Sequence, residues 1–267
     1  MEEAKLSPDL VTRDLNTSFI GQKVIYFPSV ESTMDTAKKE ALWGAEAGTV
    51  IITDDQTAGR GRLQRTWLSP TGGLALSIVL RPNMDYLPYM VMMSSLAVAY
   101  SIQKITGLKP QIKWPNDVLI KDKKVCGILI ENDIRKNALK SMVIGIGINV
   151  NTNFKGLPEL DPIATSLSDN VGKEVSRLEI LRQILIELDN LYKLLPDTEA
   201  IFQQWKKLLI TLGQKVQVHF IDSVHTGTVE SVTHDGNLML RQADGSLMKI
   251  IAGDVSLRGP RQGPLLE

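Results

Sequence analysis

The chain has 267 residues, of which 43% are hydrophobic and 22% charged, a composition typical of a globular protein rather than a disordered or fibrous one. Its 30 basic and 30 acidic residues cancel, which argues against a protein that holds nucleic acid by bulk positive charge. A single cysteine, Cys126, excludes an internal disulfide framework, and the first residues lack the apolar stretch of a signal peptide. We therefore expect a cytoplasmic protein that does not span a membrane.

The first four-fifths of the chain alternate between strand and helix patterns. Residues 1–20 predict a lead-in that is too short to hold a winged helix. Ser32 with Asp35, and Ser176 with Glu179, mark two helix N-termini. Strands are predicted at 23–28, 48–53, 74–80, 111–114, 118–120, 125–131 and 138–150, and helices at 32–44, 87–105, 176–196 and 199–209.

The pattern changes after Gly213, where short strand-like runs are separated by Asp-Gly turns. These runs cover residues 215–220, 227–232, 237–241 and 247–251. Four or five short antiparallel strands in about fifty residues predict a small barrel. We therefore predict two domains, a catalytic domain over residues 1–211 and a C-terminal domain over residues 212–267.

The arginine loop, Gly59–Trp67, combines glycines, three arginines and an aromatic residue. Gly59 and Gly61 permit close backbone approach, while the arginines offer forked donors for phosphate or carboxylate. We expect this loop to be disordered without a ligand, since its like charges repel, and to close over an anion. A solvated basic turn is the alternative. The loop lacks the third glycine of a dinucleotide fingerprint and the Lys-Ser/Thr of a P-loop.

Three further segments carry polar groups on otherwise apolar strands. Asp117 follows a proline break and is suited to Mg²⁺-phosphate or to a ribose hydroxyl, although ordinary turn chemistry is the favoured explanation when the segment is taken alone. Lys124 enters a hydrophobic strand and could face a buried anion, or it could simply belong to a hairpin turn. The alternating glycines of Gly145–Asn149 indicate a flat ligand, a neighbouring backbone or close packing between strand and helix.

Taken together and in this order, these segments resemble biotin protein ligases, over about residues 22–258. The motifs are Ser32-Thr33, Gln56 to Arg62, Trp67 to Pro70, Lys113 to Asp117, Lys124 to Glu131, Gly145 to Asn149 and Ala164 to Leu167. The resemblance implies an α/β (α+β) fold: a mixed sheet with flanking helices, like that of class II aminoacyl-tRNA synthetases, plus a C-terminal SH3-like β-barrel. It is to the type of ligase without an N-terminal DNA-binding domain.

The same resemblance implies a two-step ligase reaction. Biotin and ATP, with Mg²⁺, give biotinyl-5′-AMP and pyrophosphate. A lysine of a biotin carboxyl carrier domain then takes the biotinyl group and AMP leaves. Specific DNA binding and membrane association are not expected, and the resemblance leaves open a monomer or a homodimer.

Residue roles also follow from the resemblance. The catalytic residues would be Lys124, Arg60, Arg62 and Asp117, with Asp117 a candidate Mg²⁺ ligand. Biotin would be bound by Ser32, Thr33, Met34, Gln56, Gly59, Arg60, Gly61, Arg62, Lys124, Gly127 and Gly147. The nucleotide would be bound by Arg62, Arg65, Trp67, Lys113, Asn116, Asp117 and Asn149.

Two departures and three alternatives accompany this interpretation. Met34 stands where many relatives have Asn, and Leu63-Gln64 replaces the Arg-Gly common in the arginine loop, which makes the loop less basic and less flexible.

A lipoate or octanoate ligase shares the fold, but the arginine loop with the Lys113–Asp117 motif favours biotin. A bifunctional repressor is disfavoured, since the lead-in is acidic and short, and an inactive biotin-binding module would not need a phosphate-binding set of cations.

Overall fold

The structure is a computed structural model that describes residues 6–155, 157, 159–220 and 222–256. The first five residues of the predicted lead-in, and residues 257–267 of the predicted C-terminal domain, lie outside the described residues. The strands are β1 (Val24–Val30), β2 (Val50–Gln56), β3 (Leu74–Leu80), β4 (Gln111–Lys113), β5 (Asp117–Ile120), β6 (Lys123–Arg135), β7 (Ala138–Ile148), β8 (Lys215–His219), β9 (Val224–Val232), β10 (Leu238–Arg241), β11 (Leu247–Ile250) and β12 (Asp254–Ser256). The helices are α1 (Pro8–Thr12), α2 (Thr33–Leu42), α3 (Met90–Thr106), α4 (Leu167–Val171), α5 (Arg177–Lys193) and α6 (Thr198–Leu208).

Two sheets organise these elements. The large sheet has seven strands in the order β1-β2-β3-β7-β6-β5-β4, and only β1 and β2 among its described neighbours run parallel. The small sheet has five antiparallel strands in the order β11-β10-β9-β8-β12. The prediction of a mixed α/β sheet with flanking helices is therefore confirmed, and so is a separate set of antiparallel strands at the C-terminal end. The SH3-like barrel form of these strands stays a prediction.

The two faces of the large sheet are covered differently because side chains alternate along each strand. One face packs its Val and Ile side chains against α3 and α5 in the main core. On the other face α2 places Met34 and Ala37 on Ile51, Val79 and Val143. Since α2 is only ten residues long, it covers part of this second face and leaves the rest for the site described below.

Local sequence signals fixed several boundaries correctly. The Ser32 and Ser176 hydroxyls accept hydrogen bonds from the N–H groups three residues on, as the predicted caps require. The structure differs from the predictions at α1 in the lead-in, at α4 and at β12, none of which the sequence patterns indicated. Each is only three to five residues long, too short for a periodic pattern to stand out. In the part of the chain that the structure describes, no helix has both the length and the apolar character needed to cross a membrane.

Candidate active site

The floor of a cavity is formed where the large sheet lacks side chains. Gly147 on β7 lies between Ala75 on β3 and Gly127 on β6 in direct register. In the next row Gly145 lies beside Ser77. These small residues share the face covered by α2 but continue beyond it, so they leave a shallow slot on the sheet.

Two side chains of the chain itself pack on these glycines. A Cβ at Gly147 would lie 2.5 Å from Cε2 of Trp67, and one at Gly145 would lie 2.5 Å from Sδ of Met34. Of the three explanations that the sequence left open for the alternating glycines, the structure shows close packing, by the arginine loop and by α2. The indole of Trp67 thus forms a wall of the slot.

A β-bulge aims Lys124 into the same slot. In the pairing of β5 with β6, Val118 lies opposite Cys126 and the next residue, Leu119, lies opposite Lys124, so Val125 is an extra residue. The bulge reverses the normal alternation and puts Lys124 on the face of Gly127. There its Nζ lies 2.7 Å from Oδ1 of Asp117 and 5.4 Å from the ring centre of Trp67.

A buried polar cluster closes the end of the slot nearest α2. The N–H and hydroxyl of Thr33 both donate to Oε1 of Gln56, at 2.9 and 3.1 Å, and the hydroxyl of Ser77 donates to Oγ1 of Thr33 at 2.8 Å. A Cβ at Gly59 would lie 2.4 Å from the backbone carbonyl oxygen of Trp67 and 2.5 Å from Nε2 of Gln56, so a glycine is needed there. Such a cluster can orient a small polar group of a ligand that is otherwise apolar.

The arginine loop is folded into a closed hairpin over the slot. Gly61 donates its N–H to the carbonyl of Arg65 at 2.7 Å, and Trp67 donates to Gly59 at 2.9 Å. Leu63 and Gln64 adopt positive φ angles of 53° and 59°, a region that glycine occupies at less cost. Each arginine of the loop has a partner within the chain, which offsets the expected repulsion. Disorder of the loop without a ligand stays a prediction.

Arg62 and Arg65 contact opposite sides of the cavity mouth. Arg62 donates to the amide oxygen of Asn116 at 3.1 Å, whereas Arg65 lies 2.5 Å from a carboxylate oxygen of Asp254 on β12. Burial lowers the pKa of the Arg62 guanidinium, although Asp254 and Asp117 oppose that shift. Burial raises the pKa of Asp254, but the positive charges of Arg65 and two lysines outweigh it and leave the pKa below its usual range.

Comparison with known proteins assigns this arrangement to a family. Residues 26–149 match the model of the biotin/lipoate A/B protein ligase family, and residues 211–258 match that of the biotin protein ligase C-terminal domain. The bifunctional ligase/repressor BirA of Bacillus subtilis is 34% identical over 259 residues, which cover 95% of this chain and 79% of that protein. The chain belongs to the biotin protein ligase family.

Other members support this assignment over nearly the whole chain. The biotin–[acetyl-CoA-carboxylase] ligase of Mycobacterium tuberculosis is 29% identical over 266 residues, covering 94% of this chain and 97% of that ligase. The crystallised biotin protein ligase of Aquifex aeolicus in complex with biotin and ATP superposes with a TM-score of 0.75 at 29% identity. That match covers 88% of this chain and 98% of the Aquifex chain.

Most of the residues singled out from the sequence meet at this cavity. Its wall includes Ser32, Thr33, Met34, Gln56, Arg60, Gly61, Arg62, Arg65, Trp67, Asn116, Asp117, Lys124, Gly127 and Gly147. Gly59, Lys113 and Asn149 are not part of the wall. Gly59 closes the arginine loop. Lys113 lies on the edge strand β4, where its backbone is opposite that of Asp117 on β5. The amide of Asn149 donates to the carbonyl of Lys124 at 3.4 Å. Contacts of these three residues with biotin or with the nucleotide stay predictions.

Sequence patterns assigned no site role to several residues at or near the cavity, and four of these carry polar or charged groups that the site uses. Asp254 reaches the wall from the small sheet, and Ser77 lies beneath the polar cluster. Asp35 and Glu131 pair with Arg60. Ser77 carried a detectable signal, since it is the one polar residue in the apolar strand Leu74–Leu80, but the other three act through contacts between segments far apart in sequence.

Cys126 lies next to the site but faces away from it. Its side chain is fully buried, and burial raises the pKa of the thiol. The thiolate that nucleophilic chemistry needs is therefore disfavoured, in agreement with the role in packing that its position suggests.

Proposed function

We propose that this chain activates biotin with ATP and transfers the biotinyl group to a lysine of a biotin carboxyl carrier domain. The observation that carries the proposal is the convergence of Lys124 and Arg62 at one end of a glycine-floored slot whose other end is the Thr33–Gln56 cluster. An apolar slot with a polar end suits the fused rings of biotin, and two cations suit the reacting carboxylate and phosphate.

In the first step a carboxylate oxygen of biotin attacks the α-phosphorus of ATP. The bond from that phosphorus to the β-phosphate bridging oxygen breaks, and pyrophosphate leaves. The reaction brings like charges together, so positive groups at the transition state lower the barrier. Lys124 is held by the bulge and by its ion pair with Asp117, and Arg62 by Asn116, so both are in place before reaction.

In the second step the neutral amine of the carrier lysine attacks the acyl carbon of biotinyl-AMP. The bond between that carbon and the phosphate oxygen breaks, AMP leaves, and the amine gives up a proton. Asp117 is our candidate acceptor for this proton, since its carboxylate lies on the wall of the cavity next to Lys124.

Magnesium fits this site as an ion bound mainly by the triphosphate. No cluster of three or more potential metal ligands occurs among the described residues, but Mg²⁺ typically uses one or two protein carboxylates together with substrate phosphates. Asp117 would supply one such carboxylate, and the ion would shield the phosphate charge.

The test measures pyrophosphate release and carrier modification separately. The purified chain is incubated with ATP, Mg²⁺ and biotin, lipoate or octanoate, and pyrophosphate is followed with time. Of the three acids, we expect only biotin to give pyrophosphate release. We also expect the mass of the carrier domain to increase by one biotinyl group. Release with lipoate and none with biotin would contradict the proposal and favour the lipoate ligase.

Several finer points belong to this proposal. The division at residues 211 and 212 is supported by the change of sheet and by the second family match, which begins at residue 211. The lack of specific operator binding stays a prediction, which a sequence-selective gel shift would contradict, even though the Bacillus relative is named a repressor. The cytoplasmic setting and the choice between monomer and homodimer also stay predictions.

A further inference from the structure

Arg60 differs from the other arginines of its loop in what its guanidinium contacts. Its Nη2 lies 2.7 Å from Oδ1 of Asp35, near the start of α2, and its Nη1 lies 3.2 Å from Oε1 of Glu131 on β6. Lys38 on α2 contacts Glu131 as well and lies 3.8 Å from Asp35. Both terminal nitrogens of Arg60 therefore point at carboxylates of the chain.

The charges of this cluster argue against Arg60 as a cation for ligand phosphate. Arg60 and Lys38 are positive and Asp35 and Glu131 negative, so the four groups sum to zero. Arg62, by contrast, donates to a neutral amide, and the nearby carboxylates of Asp117 and Asp254 are in ion pairs with Lys124 and Arg65. An anion in the slot would therefore be attracted more by Arg62 than by Arg60.

The positions of Asp35 and Glu131 indicate that they fix the side chain of Arg60, and with it the arginine loop. Neither residue belongs to the cavity wall, whereas Arg60 does. Asp35 stands on a helix and Glu131 on a central strand, where it lies opposite Val143. The backbone of Arg60 pairs with Thr66 across the arginine loop, so fixing its side chain fixes the base of that hairpin.

We propose that Asp35 and Glu131 are positioning residues that hold the arginine loop closed through Arg60. This inference rests on the proposed function in one respect: the closed loop retains biotinyl-AMP until the carrier lysine arrives. Loss of either carboxylate then speeds escape of the intermediate, while its formation by Lys124 and Arg62 continues at the parental rate.

The first experiment tests the closure without any reaction. Limited trypsin digestion of the full chain measures cleavage after Arg62 and Arg65, which requires the loop to open. We expect Asp35→Asn and Glu131→Gln each to raise the cleavage rate about two- to fivefold, the range for a partly exposed ion pair. Asp133→Asn is the matched control, because it breaks an exposed pair with Arg135 on the same strand. Equal cleavage in parent and variants would overturn the proposal.

The second experiment separates retention from formation. The ratio of free biotinyl-AMP in solution to pyrophosphate released should rise about two- to fivefold in Asp35→Asn and Glu131→Gln, with initial pyrophosphate release unchanged. Asp35→Glu should restore the parental ratio, and adding Asp35→Asn to Arg60→Ala should increase escape no further.

A fall in pyrophosphate release without added escape would overturn the proposal, because Arg60 would then act on the reacting groups. If the parent releases no pyrophosphate with biotin, the proposed function fails while the trypsin experiment still decides the closure.

Discussion

Glycines on the large sheet and on the small sheet have different neighbours. On the large sheet Gly147 is packed against the indole of Trp67, a side chain that can move. On the small sheet a Cβ at Gly227 would lie 2.4 Å from the carbonyl oxygen of Arg241, so there the neighbour is backbone. At Gly147 a side chain takes up the space beside the glycine, whereas at Gly227 the main chain does, so a methyl group at the two positions should have different effects.

Ion pairs show the same contrast. Arg241 and Glu230 pair across neighbouring strands of the small sheet, where both side chains are exposed and solvent screens their attraction. The carboxylate of Asp254 is also on the small sheet, but it lies at the cavity wall and is partly buried beside Arg65. What a charged pair does here depends on which elements it joins, and the following substitutions test that comparison.

The largest effect is expected at Lys124. Replacing it in Lys124→Ala removes a fixed positive charge from the reacting carboxylate and phosphate, so kcat/KM for pyrophosphate release should fall about 10²–10³-fold. The circular dichroism spectrum should stay unchanged. Lys123→Ala is the neighbouring control, since its side chain donates to the carbonyl of Asp161 outside the cavity, and it should keep parental activity. Equal losses in both variants would show that the strand rather than the amine matters.

A smaller effect is expected from filling the glycine floor. Gly147→Ala should push the indole of Trp67 away and weaken biotin binding by about tenfold, or about 1.4 kcal/mol, as measured by calorimetry. Gly227→Ala should instead lower the free energy of unfolding by about 1–3 kcal/mol through its backbone contact, with biotin affinity retained. The contrast between the sheets would be wrong if the two variants changed the same quantity.

The smallest effect is expected at the link between the sheets. Asp254→Asn removes the partner of Arg65 and should raise escape of the intermediate about two- to fivefold, whereas Glu230→Gln should not. Because the folded pKa of Asp254 lies below its usual value near 3.8, its stabilisation is complete above that value and is lost as the pH falls through the lower folded pKa. Parent and Asp254→Asn should therefore converge in stability at low pH. A difference that persisted there would rule out the ion pair as its source.

Local signals in the sequence predicted much of the fold. The Ser32 and Ser176 caps and the apolar run Leu74–Leu80 need only near neighbours in sequence to be recognised, and they mark the elements that the structure shows. The resemblance to biotin protein ligases predicted most of the residues that line the cavity. Roles for those residues remain proposals.

The parts that could not be predicted depend on distant contacts. Arg65 meets Asp254 across 189 positions of sequence, and Arg60 meets Glu131 across 71. The glycine floor was visible as a pattern, but that Trp67 packs on it depends on the register of three strands. A basic loop read in isolation predicts repulsion, while in the folded chain each arginine has found a partner.

The extra residue at Val125 has a consequence for how this strand can change in length. Side chains alternate along a strand, so deleting Val125 would restore regular pairing between β5 and β6. The ammonium group of Lys124 would then point towards the apolar core on the opposite face of the sheet. Substitutions at Val125 that keep a compact apolar side chain preserve the geometry, but insertions and deletions between Leu119 and Cys126 do not. In evolution or in engineering, the spacing of this hairpin is therefore constrained as strictly as the identity of its lysine.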